Sequence, residues 1–209
     1  MSISPSTLNR LCLYLRSLQR MEREGTPRVS SQQLAERLNL SAAQIRKDLA
    51  QLGELGIRGV GYDVRGLVQR LTQALRLDRS YRMVVVGLGN LGTALSAYPG
   101  FNRGVFVVVA GVDSDPAKQG MEIGGFKVRS PEDLPEIVRE QEIDLGVLAV
   151  PAAAAQENYD RLVAAGVKGV LNFAPSRIKE VPAVPLKSVD LRIFLEELAF
   201  SLPPTSGTG

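Results

Sequence analysis

Residues 84–92 read Val-Val-Val-Gly-Leu-Gly-Asn-Leu-Gly, and no other stretch restricts the fold as strongly. An apolar run suited to a strand buried on both faces ends in Gly-x-Gly-x-x-Gly, and a helix-forming stretch follows at once. Each glycine has its own role in that arrangement. Gly87 makes the tight turn, Gly89 lets backbone approach a pyrophosphate, and Gly92 lets the helix pack on the strand. Leu88, Asn90 and Leu91 complete the loop, and the helix start offers its amides to phosphate. A second apolar run, "FVVVAGVDSDP", ends at Asp113, 21 residues past Gly92. That is the place for an acid that accepts from the adenosine ribose hydroxyls. An acid there disfavours a 2′-phosphate, so the expected cofactor is NAD(H) rather than NADP(H). Lys118 is the nearest base and comes late in the loop.

More β/α units follow. "SPEDLPEIVREQEI" is a short helical segment, "IDLGVLAVP" a strand, "AAAAQENYDRLVAAG" a helix and "VKGVLNFAP" a strand. Loops at the carboxyl ends of such strands line the ligand crevice. Val150, Pro151, Asn172, Ala174 and Pro175 are therefore expected near the nicotinamide. The fold class is α/β, with a Rossmann-type parallel-sheet domain over residues 81–187. Residues 188–209 hold an amphipathic helix, with Leu191, Phe194, Leu195, Leu198 and Leu202 on its apolar side, and a polar tail. After a complete sheet, that helix packs either on its own domain or on a partner subunit.

The residues before this fold are basic. Residues 1–82 carry 14 Lys/Arg against 7 Asp/Glu, while residues 83–209 carry 11 against 15. Such a split suggests that the first part meets a polyanion. Residues 4–25 read as one helix, with Leu8, Leu11, Leu15, Leu18 and Met21 at core spacing, Ser6 or Thr7 as cap and Gly25 as terminator. "SSQQLAERLNL" and "LSAAQIRKDLAQLGELG" give two more, capped by Ser30 or Ser31 and by Ser41, the last with Gln44 placed for a capping box. A tight turn at Asn39–Leu40 joins them in a helix-turn-helix outline. Gln44, Arg46, Lys47 and Gln51 fall outside the apolar stripe of the third helix, and Ser31 opens the second. These residue types read base edges and grip phosphates. "GIRGVGYDVRGL" then supplies a Gly-rich basic hairpin suited to a wing, with Arg58, Gly59 and Tyr62 as DNA contacts. Residues 1–80 are thus expected to form a winged-helix domain that binds double-stranded DNA.

Several classes are excluded or weakened. There are no histidines, which removes the commonest general base and metal ligand. No catalytic residue and no metal site is expected. The single cysteine, Cys12, lies in an apolar stretch and reads as a buried thiol. No apolar run is long enough to cross a membrane, and the N-terminus lacks a signal-peptide core, so a cytoplasmic location is expected. The alternative is an NAD-dependent dehydrogenase with an N-terminal extension. It would have to recruit Lys168 or Tyr159 as proton donor, and it leaves the charge split unexplained.

Three stretches, "QIRKDLAQLGELGIRGVGY" (44–62), "VVVGLGNLGTAL" (84–95) and "GVKGVLNFAP" (166–175), resemble the Rex family of redox-sensing transcriptional repressors. "YLRSL" (14–18) and "SAYPGF" (96–101) are similar to family motifs too, so the likeness spans almost the whole chain. The resemblance implies a homodimer that binds operator DNA with NAD⁺ and releases it with NADH, its C-terminal helix swapped between subunits. It also implies a switch in which Tyr98 and Asp190 pair across subunits in one state and Arg16 takes Asp190 in the other. Gln51–Leu52 stand where family members often carry aromatic residues, Asn90 where some carry arginine, and Leu191 where the resemblance leads one to expect phenylalanine near the nicotinamide.

Overall fold

The computed structural model describes residues 3–53, 55–57, 59–102 and 104–203. The chain divides into two compact units, residues 1–79 and 80–209.

The first unit is helical with a small sheet: α1 (Pro5–Arg23), β1 (Arg28–Val29), α2 (Ser31–Leu38), α3 (Ala42–Ala50), β2 (Gly56–Ile57), β3 (Gly61–Asp63) and α4 (Val64–Ala74). α1 begins two or three residues earlier than Ser6 or Thr7 as cap would have it. Ser4, in extended conformation, accepts from the Thr7 amide, and Pro5 fills the first helical position, where no N–H is needed. Leu8 is exposed, and the buried stripe is instead Leu11, Tyr14, Leu15, Leu18 and Met21. Cys12 lies off that stripe and is half-buried, not fully buried as expected. α2 opens with a full capping box between Ser30 and Gln33 and ends at Asn39 in left-handed conformation (φ 52°). Ser41 caps α3 by accepting from the Gln44 amide, but the Gln44 side chain turns to Asp48 rather than back to the cap. α1 packs on α4, and α2 on α3, around Leu11, Leu34, Ile45, Leu49 and Leu71. β1, β3 and β2 pair antiparallel in that order, so the β2–β3 hairpin stands on β1 beside the helices.

The second unit is built on β4 (Tyr81–Val86), α5 (Asn90–Ser96), α6 (Pro99–Asn102), β5 (Phe106–Val112), β6 (Glu122–Ile123), β7 (Phe126–Arg129), α7 (Leu134–Glu140), β8 (Leu145–Leu148), α8 (Ala155–Ala165), β9 (Gly169–Asn172), β10 (Leu186–Ser188) and α9 (Leu191–Phe200). The sheet runs β10-β9-β8-β4-β5-β7-β6, parallel except where β6 meets β7. Its central strand is buried on both faces. Val84 and Val86 meet Leu134, Ile137 and Leu162 of α7 and α8, while Met83 and Val85 lie in the cluster that Leu95 and Phe101 pack against. β5 continues to one side of β4 and β8 to the other. The chain therefore reverses its direction of winding at β4, and the crevice at the carboxyl ends of these strands is the ligand position of such sheets. The β6–β7 hairpin and β10 are additional to the strands expected from sequence. α9 is exposed along its whole length, its apolar side included, with Phe194 at 61% and Leu195 at 65% exposure.

Candidate functional site: a crevice beside the glycine loop and a groove beside α3

The glycine loop folds as its spacing requires. A Cβ on Gly92 would lie 1.8 Å from the carbonyl oxygen of Gly87, so α5 reaches the strand only with glycine there. Gly87 has φ 89° and lies against Ala149 and Val150 of the neighbouring strand end. Gly89 caps α5 without a side chain, which leaves backbone facing the crevice. Leu88 does not line that crevice. Its side chain is buried beneath, and its amide donates to Asp113 Oδ2 at 2.7 Å.

Asp113 closes the other side of the loop. Its Oδ1 accepts from the Asp115 amide at 2.9 Å, and its Oδ2 accepts from Lys118 Nζ at 3.0 Å. Burial pushes its pKa up, but the bonds from the Asp115 amide, Lys118 and the Leu88 amide outweigh this and hold it below the usual carboxylate range. Asp113 is thus an ionised acceptor at the end of β5, the state needed to accept from ribose hydroxyls.

The crevice between these elements has a volume of about 710 Å³, within the range of small-molecule and cofactor sites. Gly87, Gly89, Asn90, Leu91, Asp113, Lys118, Val150, Pro151 and Pro175 all border it. Asn172 and Ala174 do not, contrary to expectation. Asn172 is fully buried, its Oδ1 accepting from the Ala174 amide at 2.8 Å and its Nδ2 donating to Ser188 Oγ at 3.2 Å. It shapes the loop, while Phe173 between the two faces the crevice. Strand alternation at the end of β9 decides this, and the sequence carries that signal. Arg161 is a second residue the sequence reading missed. It borders the crevice and bonds Glu157 at 2.8 Å and Glu132 at 3.4 Å.

The residues required by a dehydrogenase are engaged elsewhere. Lys168 Nζ donates to Asp144 Oδ1 at 2.7 Å. Tyr159 is fully buried, donating to the Val184 carbonyl and accepting from the Val181 amide, both at 2.9 Å. Neither borders the crevice. Among the described residues no cluster of acids and cysteine could hold a metal ion, and no helix is long and apolar enough to cross a membrane.

In the first unit, Ser31, Arg46, Gly59 and Tyr62 border one groove of about 930 Å³ between α3 and the β2–β3 hairpin. Arg46 donates to Ser31 Oγ at 3.0 Å, which ties α3 to the start of α2. Tyr62 lies over Gly56, where a Cβ would approach its ring to 2.7 Å. Burial raises the Tyr62 pKa, and Arg46 opposes this. Gly59 is exposed in the hairpin turn, Lys47 is exposed on α3, and Gln51 is half-buried as the helix cap. Arg58 lies outside the described residues. Of the three residues assigned to a switch, Arg16 is exposed on α1 of the first unit. In the second, Tyr98 is exposed and meets Phe101 edge-on at 5.4 Å, and Asp190 caps α9 by accepting from the Arg192 amide at 2.9 Å.

Comparison with known proteins gives the same division of the chain. Residues 2–50 match a family model described as a putative DNA-binding protein N-terminus, and residues 78–176 match one described as a CoA binding domain. The redox-sensing transcriptional repressor Rex of Carboxydothermus hydrogenoformans is 45% identical over 200 residues, covering 96% of each chain. That of Streptomyces coelicolor is 43% identical, covering 95% of this chain and 77% of its own. The crystal structure of RSP in complex with β-NAD⁺ and operator DNA superposes with a TM-score of 0.91 at 34% identity, covering 96% of this chain and 92% of the other. RSP in complex with β-NADH superposes with a TM-score of 0.86 at 33% identity, over 96% of this chain and 94% of that one. With a helix-turn-helix unit, a glycine loop braced by Asp113 and relatives matched over nearly its full length, the chain belongs to the Rex family of redox-sensing transcriptional repressors.

Proposed function

We propose that this protein is a cytoplasmic, homodimeric repressor whose affinity for operator DNA follows the NADH/NAD⁺ ratio. The observation that carries this reading is the presence in one chain of two grooves of different chemistry. One is lined by Ser31, Arg46, Gly59 and Tyr62, and the other is braced by the ionised Asp113. Gly87, Gly89 and the start of α5 suit a pyrophosphate, and Asp113 suits the adenosine ribose. Val150, Pro151 and Phe173 supply an apolar wall for the nicotinamide.

The two nucleotide forms differ by a hydride and by the positive charge of the oxidised ring. An apolar wall favours the neutral ring, because enclosing the cation costs desolvation. Closure of the chain around the reduced form then holds the two α3 helices of the dimer at a spacing unsuited to successive major grooves. Arg16, Tyr98 and Asp190 are the residues assigned to the exchange of contacts between the two states. By linkage, operator DNA weakens NADH binding by the same factor as NADH weakens operator binding.

The test is fluorescence anisotropy of a labelled palindromic operator with the full-length protein, titrated with NADH, NAD⁺ and coenzyme A at fixed salt. Release by NADH at concentrations where NAD⁺ leaves the complex intact supports the reading. Release by coenzyme A alone favours the second reading, an acyl-carrier sensor, which rests on the match of residues 78–176 to a CoA binding domain. Asp113 weighs against that reading, because a carboxylate at the ribose repels the 3′-phosphate of coenzyme A. Steady turnover of NADH with a 2-hydroxy acid or aldehyde partner would restore the dehydrogenase.

A further inference from the structure

α3 has three charged residues; Arg46 and Lys47 are exposed, and Asp48 is buried, with 1% exposure. A carboxylate taken out of water is tolerated only when its oxygens are fully engaged. Asp48 meets that condition. Arg10 grips it with both prongs, Nε to Oδ2 at 2.6 Å and Nη2 to Oδ1 at 2.9 Å. Tyr14 donates its hydroxyl to Oδ2 at 2.7 Å, and Gln44 donates Nε2 to Oδ1 at 2.8 Å. Burial pushes the Asp48 pKa up, but Arg10, Tyr14 and Gln44 together hold it down, so the group stays ionised.

Three of these four bonds come from α1 and anchor the carboxylate. The fourth leads outward, to a half-buried side chain in the first half of α3. A glutamine amide has a donor end and an acceptor end, and an ionised carboxylate accepts only from the donor end. Asp48 therefore fixes which way round Gln44 sits, leaving Oε1 and the second Nε2 hydrogen for an outside partner. In a helix-turn-helix the first residues of the second helix meet base edges in the major groove. There adenine N6 and cytosine N4 donate, whereas guanine O6 and thymine O4 accept.

We propose that Asp48 is a positioning residue for sequence reading. By holding Gln44 Nε2, it leaves Oε1 as the outward acceptor and makes Gln44 select a base that presents an exocyclic amine. The proposal rests on the reading of α3 as the recognition helix. It assigns the buried Asp48–Arg10–Tyr14 cluster to operator selectivity, beyond holding the domain together.

The test uses the full chain and a set of operator duplexes in which each half-site position is varied in turn. The wild-type protein is expected to prefer adenine or cytosine over guanine or thymine at one position of each half-site. Gln44→Ala is expected to remove that preference, roughly fivefold or more, and leave the other positions unchanged. Asp48→Asn offers an N–H to Gln44, so the amide can reverse, and the preference at that same position should collapse or pass to guanine or thymine. NADH affinity and the salt dependence of binding should stay as in the wild type, as controls for folding and phosphate contact. If Asp48→Asn weakens every duplex alike with the preference intact, Asp48 is only structural and the proposal fails. If Asp48→Asn does not fold, Gln44→Ala decides alone. No change in preference, or loss of a guanine or thymine preference, overturns the proposal. Full operator binding by both Arg46→Ala and Lys47→Ala would instead show that α3 does not enter the groove, which is failure of the underlying reading.

Discussion

The Leu88 amide donates to Asp113 Oδ2 at 2.7 Å, across 25 residues of sequence. This bond joins the glycine loop after β4 to the acid that ends β5. The residue expected to read the ribose therefore also holds the phosphate loop in shape. Asp113→Ala should weaken NAD⁺ and NADH alike, by about 1–3 kcal/mol, since it leaves polar groups without partners. Isothermal titration with each nucleotide checks this, and unaltered affinity for both would remove Asp113 from the ribose site. The pH dependence follows from the lowered pKa. The stabilisation is fully present above the unfolded value of about 3.9 and is lost as pH falls through the lower folded value. Acid unfolding of Asp113→Ala should accordingly lack part of the wild-type loss of stability below about pH 4.

Gly92→Ala should be more disruptive than its single methyl suggests. The new Cβ would lie 1.8 Å from the Gly87 carbonyl oxygen, so α5 must move away from β4. A destabilisation of about 1–3 kcal/mol is expected, together with loss of nucleotide binding. Denaturant unfolding and a nucleotide titration measure the two effects. Wild-type values in both would mean that the loop is not held by that contact.

Tyr159→Phe separates structure from chemistry. The hydroxyl bonds Val181 and Val184 in a fully buried setting. Its removal should cost about 1–3 kcal/mol of stability and leave NADH affinity and operator release unchanged. Loss of an NADH-consuming activity in this variant, with stability intact, would bring back the enzyme reading.

Leu191, Ile193, Phe194, Leu195, Leu198 and Phe200 of α9 are each more than half exposed. We expect a second copy to supply the cover. Leu195→Glu, or truncation after Asp190, should convert a dimer into a monomer in sedimentation velocity and greatly reduce affinity for a palindromic operator. A dimer that survives both changes would place the subunit interface elsewhere.

Much of this was legible in the sequence, and the exceptions share a cause. The glycine loop and Asp113 form a strand–turn–helix unit whose spacing is local, so pattern alone located them. The helix-turn-helix and its wing were legible for the same reason. Asn172 and Phe173 were harder, because which of two neighbours faces a crevice depends on the register of the last strand residue. The β6–β7 hairpin announced itself only by Gly124–Gly125 between two very short runs. Asp48 was the least legible. On α3 it looks like another solvated charge, and its role depends on Arg10, a residue 38 positions away.

Asp113 and the glycine loop would grip parts of the nucleotide that reduction does not alter. Grip of that kind sets how readily the cleft fills but contributes nothing to telling the two forms apart. With total nucleotide well above both dissociation constants, every cleft is occupied and the two forms compete for it. The output then depends on their proportion and is insensitive to how large the cellular pool is. A shared handle makes the sensor ratiometric, and weakening that handle would turn it into a gauge of abundance.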